Sequence, residues 1–257
     1  TDRNDLLVHG EQPVAPEAEE KYLNWIRQRA EHIPLQQLTG EQGFMGLTFS
    51  VNEHVLIPRQ DTEILVEEVL KELHDGMRVL DMCTGSGCIL LSLLHYSNDC
   101  EGLGVDLSAE ALEVAGRNVL KVLTPEKAEH AHFLQSDLFE KVEGKFEIIV
   151  SNPPYIASAE VEKLMPEVRD HEPRMALDGT EDGLHFYRRI IEEAGKHLVS
   201  SGMLFFEIGY DQGQAVSELM RTEGYCDVQV VQDYAGLDRV VFGTYVTVQP
   251  APFAKSR

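Results

Sequence analysis

The sequence has no apolar run near the length of a membrane span and no basic-then-apolar leader at Thr1, which points away from a membrane protein and from secretion. It also lacks an initiator Met, so the chain is expected to be processed or to lack its true start. Cysteine is scarce: Cys83, Cys88, Cys100 and Cys226 form no CxxC pair and no metal-ligand spacing. They read as reduced thiols of a cytoplasmic protein with no metal site. His130 and His132 are the only close histidine pair, and a strand edge explains them better than a metal does. Basic residues are half as numerous as acidic ones, 22 against 44, for a net charge of −22. A nucleic-acid backbone is held by Lys and Arg, so stable nucleic-acid binding is not expected and a protein or small-molecule partner is favoured. Internal repeats and low-complexity segments are missing too.

What is present suits one large domain with a small appendage: 257 residues, 43% hydrophobic and 26% charged. Residues 1–16 are polar, with Pro13 and Pro16, and read as a loose lead-in. Residues 17–31 turn helical, with Tyr22, Ile26 and Ala30 on one stripe, until Pro34. Residues 47–51 alternate as a strand, expected to hairpin with residues 55–57. Residues 1–60 thus form a helix-plus-hairpin module. Asp61 is the expected N-cap of a helix with Leu65, Val66, Val69, Leu70 and Leu73 inward.

Beyond Gly76, strands at 77–82, 101–106, 131–134, 146–151, 202–208, 226–232 and 239–246 alternate with helices near 86–96, 108–121, 184–199 and 212–223. This predicts an α/β, doubly wound, mostly parallel seven-stranded sheet over residues 61–248, its last two strands antiparallel because no helix joins them. Residues 249–257, with Pro250 and Pro252, read as a flexible tail.

In such a sheet ligands bind at the carboxyl ends of the strands, and four strand ends carry ligand-type residues. The first runs from Asp81 into Cys83, Thr84, Gly85, Ser86 and Gly87. The paired glycines permit a tight turn and close backbone approach. Leu90 stands where a nicotinamide fingerprint wants its third glycine, and no Gly-Lys-[Ser/Thr] follows. The second ends at Asp106, 25 residues beyond Asp81, where a carboxylate can accept from both ribose hydroxyls; Ser108 is the better cap for the helix after it. The third ends at Asp137, suited to an adenine amino group, with Leu138 or Phe139 covering the ring. The fourth ends Asn152-Pro153-Pro154-Tyr155, where two prolines stop the strand and leave stiffly held carbonyls beside an amide and an aromatic ring. Together these describe a nucleoside site without a phosphate cradle, beside a grip for a planar amine or amide. S-adenosyl-L-methionine fits; NAD and ATP do not.

These motifs resemble those of the Rossmann-like class I S-adenosylmethionine-dependent methyltransferases that modify planar nitrogen. Narrower signatures at Ile57 to Glu63, Glu172 to Gly183 and Asp233 to Arg239 are similar to the peptide chain release factor glutamine N5-methyltransferases. The resemblance implies methyl transfer to the glutamine of a Gly-Gly-Gln motif in a release factor, with S-adenosyl-L-homocysteine as product. It implies that the Asn152 side-chain oxygen and the Pro153 main-chain oxygen accept the two amide N–H bonds. It further implies that Pro154 stiffens the turn and that Tyr155 packs against the amide plane. Asp81, Cys83, Thr84, Gly85, Ser86, Gly87, Asp106, Asp137, Leu138 and Asn152 are the implied cofactor residues. The family has Gly where this chain has Cys83, implying crowding at the methionine end, and its N-terminal domain is longer than residues 1–60. Asn-Pro-Pro-Tyr is shared with DNA adenine and rRNA methyltransferases, so a nucleobase amino-methyltransferase is the first rival. A catalytically silent cofactor-binding protein is the second.

Overall fold

The computed structural model describes residues 3–246, so the expected tail at 249–257 lies outside the described residues. Helices α1 (Arg3–Val8), α2 (Pro16–Ala30) and α3 (Leu35–Thr39) precede a hairpin of β1 (Glu41–Phe44) and β2 (Leu47–Ser50). Then follow α4 (Asp61–Glu72), β3 (Arg78–Met82), α5 (Cys88–Tyr96), β4 (Glu101–Asp106), α6 (Ala109–Val122), α7 (Pro125–Ala128), β5 (Ala131–Gln135) and β6 (Phe146–Ser151). Short helices α8 (Ser158–Val161), α9 (Pro166–Arg169) and α10 (Arg174–Leu177) lead to α11 (His185–Ala194), β7 (Leu198–Glu207), α12 (Gly213–Thr222), β8 (Tyr225–Gln232) and β9 (Asp238–Tyr245).

The seven strands β3–β9 form one sheet in the order β5-β4-β3-β6-β7-β9-β8. All pairings are parallel except β7–β9 and β8–β9. The doubly wound sheet expected from the strand–helix alternation therefore forms, with its antiparallel end. The chain enters at β3, builds outward through β4 and β5, and returns to add β6 on the other side of β3. That reversal is the topological switch point, where an open sheet leaves a crevice beyond its strand ends.

Side chains alternate across each strand. Val79 joins the core under α4, α5 and α6, while Leu80 and Met82 join the core under α11 and α12. Strands β3 and β6 are buried on both faces, as parallel strands covered on both sides must be. Helix α5 is apolar all round and buried from Cys88 to Leu94 because α4 and α6 flank it. A Cβ at Gly102 would stand 2.6 Å from Leu90 Cδ1, so glycine in β4 lets α5 seat against the sheet.

Four expectations are corrected. Residues 3–8 are helical rather than loose, although Leu7 and Val8 are exposed and carry no periodic signal. Strand β2 pairs with β1, not with residues 55–57, because Met45 and Gly46 both take positive φ (51° and 70°) and close a two-residue hairpin. Val55 and Ile57 are instead buried anchors in an irregular run. Asp61 is the first residue of α4 rather than its cap: Gln60 holds the cap position and makes no side-chain cap bond. Helix α11 stops at Ala194, and β7 begins at Leu198 with an irregular register against β6. Helix α2 forms as read, but Tyr22 and Ile26 are exposed and none of its residues is buried.

The segment before α4 is tied to the long β6–α11 connection by Glu172. Its buried carboxylate accepts from Ile57 N at 3.2 Å and from the Arg59 guanidinium. Glu172→Ala should lower stability by about 2 kcal/mol, the scale of charged hydrogen bonds lost beside a half-exposed Arg59. An unchanged urea midpoint would show that the tie contributes nothing.

Candidate active site

The register of the central strands brings the functional residues together. Met82 pairs with Val105 on one side and Ser151 on the other, so the residues after each strand end share one edge. A single cavity lies there. Cys83, Thr84, Gly85 and Ser86 line it from the β3 turn, and Asp106 from β4. Asp137 and Leu138 line it from the end of β5, and Asn152 and Pro154 from β6. Of the residues expected in the site, Asp81, Gly87, Pro153 and Tyr155 do not line it.

Asp81 stands behind the turn. Its Oδ2 accepts from Thr84 Oγ1 at 2.6 Å and from Leu90 N at 3.3 Å, while its Oδ1 is buried without a partner among the described residues. Burial pushes its carboxyl up to about 7, against the pull of the Thr84 and Leu90 hydrogen bonds. Gly87 caps α5 in the left-handed region at φ 77°, where a Cβ would press on Leu91 and Ala115. Gly85 faces the cavity: a Cβ there would meet nothing within 4 Å, so backbone and ligand can approach closely.

Cys83 sits at φ 63°, which a side chain adopts at a cost of roughly 1–2 kcal/mol and glycine adopts freely. Burial, then the nearby Asp106 and Asp81 carboxylates, push its thiol pKa up, so it stays protonated.

Asp106 accepts from Gly85 N through Oδ2 and from Ser108 N through Oδ1, both at 2.9 Å. Each oxygen keeps a lone pair for a ligand hydroxyl. Burial raises its pKa, and those backbone donors oppose the rise. Ser108 is the cap of α6, its hydroxyl accepting from Ala111 N. Asp137 Oδ1 is ion-paired with Arg189 at 2.9 Å, a partner the sequence pattern does not reveal. Leu138 lines the cavity, whereas Phe139 turns away and stacks on His197.

Beyond Asn152 the turn is clamped. Gln212 Nε2 donates to the Tyr155 carbonyl at 2.9 Å, and Ile156 exchanges hydrogen bonds with Leu177 O and Gly179 N. Gly183 lies so close that a Cβ would collide with the Tyr155 carbonyl oxygen. The ring of Tyr155 packs on the core beneath α11, with its hydroxyl donating to Glu207 Oε1 at 3.3 Å. It lies behind the cavity wall rather than in it. Asn152 Nδ2 donates to Thr62 Oγ1 at 3.4 Å, and its Oδ1 accepts no hydrogen bond among the described residues.

Sequence reasoning missed His54, Arg59, Thr62, Met175 and Phe186 as cavity residues. Arg59, Thr62 and Met175 fall inside the narrower signatures noted above, but no local pattern shows that these segments reach the same cavity. Among the described residues, no helix is long and apolar enough to cross a membrane and no His, Cys, Asp or Glu cluster could hold a metal.

Strand order, switch point and a glycine turn facing a ribose-type carboxylate define a Rossmann-like methyltransferase. Accordingly, residues 59–168 match the family model "Methyltransferase small domain" and residues 1–40 match "PrmC N-terminal domain". The fold is shared with a solved methyltransferase from Pyrococcus furiosus at a TM-score of 0.56 and 18% identity, covering 79% of this chain and 91% of that one. The chain is 42% identical to the release factor glutamine methyltransferase of Clostridium acetobutylicum, over 93% of this chain and 85% of that protein. It is 45% identical to the enzyme of the same name from Moorella thermoacetica, over 92% and 84%. The chain belongs to the release factor glutamine methyltransferase family.

The buried carboxyl has a measurable consequence. An aspartate whose folded pKa is raised contributes stability at low pH that is lost as pH climbs from 3.8 towards about 7. Asp81→Asn removes that loss. Its stability relative to the parent should therefore be higher at pH 8 than at pH 5 in urea titrations; a difference independent of pH would refute the assignment.

Proposed function

We propose that this protein transfers a methyl group from S-adenosylmethionine to the side-chain amide nitrogen of the glutamine in a release factor's Gly-Gly-Gln motif. One observation carries the reading: a nucleoside-type pocket and the Asn152 side of an amide-type grip line the same cavity, from adjacent strands of the switch point. Bound there, S-adenosylmethionine would supply an electrophilic methyl on a sulfonium.

The chain's own residues do the rest. Asp106 accepts from the ribose hydroxyls through the lone pairs its backbone donors leave. Thr84, Gly85 and Ser86 cradle the methionine end, with the Cys83 thiol beside them. Asp81 holds the turn through Thr84 and Leu90, and Gly87 starts α5 where the turn needs it. Leu138 covers the base, and the Asp137 oxygen not paired with Arg189 accepts from its amino group.

A glutamine amide nitrogen is a poor nucleophile because its lone pair is delocalised into the carbonyl. The Asn152 Oδ1 and the Pro153 carbonyl, neither of them engaged by a described donor, accept its two N–H bonds. They would aim the nitrogen at the methyl and stabilise the positive charge that develops on it as S-adenosyl-L-homocysteine leaves. One of the nitrogen's two hydrogens then passes to water, which leaves the methylated amide neutral. Pro153 and Pro154 fix these acceptors, and the Gln212 bond to the Tyr155 carbonyl keeps the turn from yielding, so little reorganisation is needed.

Residues 1–60 serve as the release-factor docking module beside the methyltransferase domain of residues 61–248. The exposed Tyr22 and Ile26 of α2 support this, as does a net charge unsuited to nucleic acid. Four unpaired cysteines support a reducing, cytoplasmic setting.

Incubation with S-adenosylmethionine and a Gly-Gly-Gln release factor should add one methyl to that glutamine, read by mass spectrometry; methylation of DNA or RNA instead would overturn the proposal. Asn152→Ala should fold normally and transfer roughly 100-fold more slowly or worse, by analogy with loss of one preorganised contact. Asp106→Ala should mainly weaken cofactor binding in calorimetry.

A further inference from the structure

The acceptor and cofactor roles described above leave the signature at Asp233 to Arg239 unused. It forms the turn between β8 and β9. Glu207 pairs with Val240, and Ser151 with Phe206, so this turn leaves the sheet at the edge where Asn152 stands. Only β7 separates β9 from β6, a lateral distance of about 10 Å.

The turn is built to hold its shape. Asp233 Oδ1 accepts from Ala235 N at 2.9 Å and from Leu237 N at 3.0 Å. The Asp233 N–H donates to Leu237 O, and its carbonyl accepts from Gly236 N. Arg239 donates to Asp233 Oδ2 at 3.1 Å and to the Ile208 carbonyl at 3.3 Å, and it ion-pairs with Asp61 at 3.5 Å. Asp61 precedes Thr62, which lines the cavity. The turn is thereby anchored both to the end of β7 and to the cavity rim.

Its apolar side chains are left outside. Tyr234 is 91% exposed, its hydroxyl donating to Glu67 Oε2 at 3.4 Å, and Leu237 is exposed as well. Tyr210, 63% exposed, stands on the neighbouring β7–α12 loop. The two loops abut, since a Cβ at Gly213 would come within 2.5 Å of Asp238 Oδ2. A rigid turn that displays an aromatic ring loses little entropy when a partner covers it.

Charge selects the kind of partner. Asp61, Glu67 and Asp211 are exposed at these loops, and residues 207–216 and 225–238 contain no Lys or Arg. Tyrosine faces beside carboxylates suit Lys and Arg, through cation–π contact and charge attraction. The substrate motif itself offers few handles. Its glutamine enters the cavity and its two glycines have no side chains, so affinity must come from surface beyond the motif.

We propose that Tyr210, Tyr234 and Leu237 form a docking surface for the protein substrate, seating a basic segment that flanks its Gly-Gly-Gln motif. This rests on the release-factor reading above. It adds a contact on the β7–β9 side of the cavity to the docking by residues 1–60.

Methylation kinetics with an intact release factor test this, together with calorimetry of its binding in the presence of S-adenosyl-L-homocysteine. Tyr234→Ala should raise KM and Kd for the release factor about 5-fold or more, the scale of one interface hot spot, and Tyr210→Ala/Tyr234→Ala should raise them further. Both variants should keep kcat and cofactor affinity within about twofold of the parent, because neither side chain lines the cavity. Tyr234→Phe, which keeps the ring, should stay within about twofold throughout. Asp211→Lys should weaken release-factor binding at low salt, by a margin that shrinks as salt screens it. These side chains lie outside the core, so thermal melts should match the parent.

Unchanged KM and Kd in the double variant, a fall in kcat in place of a rise in KM, or an Asp211→Lys effect independent of salt would each overturn the proposal. If the parent methylates the release factor while the variants bind it equally well, only the docking surface falls. If the parent does not methylate it, the release-factor reading falls and takes the docking surface with it.

Discussion

Everything at this site depends on where β6 is forced to stop. Pro153 and Pro154 lack the N–H that a central strand must donate, so the ladder ends at Ser151, level with Met82 at the end of β3, while β7 runs on to Glu207 against β9. The termination falls beside the switch point, where the sheet leaves a crevice rather than a packed edge. The backbone after Ser151 consequently has carbonyls that neither neighbouring strand satisfies. A turn with unsatisfied acceptors would normally be mobile, but this one is clamped from outside by Gln212, Leu177 and Gly179. Rigidity is supplied by distant segments while the acceptors stay open.

The second constraint is electrostatic. Asp81, Asp106 and Glu207 collect at the carboxyl edge of the sheet, and burial raises the pKa of each. A fold selected for stability alone would not place three carboxyls there. Each is instead partly satisfied by a turn, a cap or a hydroxyl that shapes the cavity. Asp81 organises the glycine turn, Asp106 joins that turn to the start of α6, and Glu207 accepts from the Tyr155 hydroxyl. The energetic cost of burying these groups lies on the side of the molecule where the chemistry is proposed.

Much of this was legible in the sequence. Central strands buried on both faces read as short apolar runs, and the turns after them carry Gly, Asp and Pro, so β3, β4 and β6 and the residues following them were assigned within a residue or two. The hairpin was misassigned because β1 holds a single large buried residue, Phe44, and shows no alternation, whereas residues 55–57 are apolar enough to mimic a strand. The resemblance sets Tyr155 against the substrate amide, whereas an aromatic after a turn gives by itself no sign of which side its ring takes; here the ring packs on the core with its hydroxyl on Glu207. The Arg189 partner of Asp137 and the Glu172 tie to Ile57 and Arg59 were invisible for the same reason: each joins segments whose separation along the chain carries no periodic trace.

By itself the sequence determined which strands end in ligand-type residues and where the sheet must terminate, because proline, glycine and apolar periodicity act within a few residues. Only the tertiary structure decided which way those residues face and what holds them. Asn152 meets Thr62 across 90 residues and Tyr155 meets Glu207 across 52. Contacts of that range arise from strand register and helix packing, which are properties of the assembled sheet. The orientation of one asparagine amide, on which the proposed chemistry turns, is set by such contacts and by no local rule.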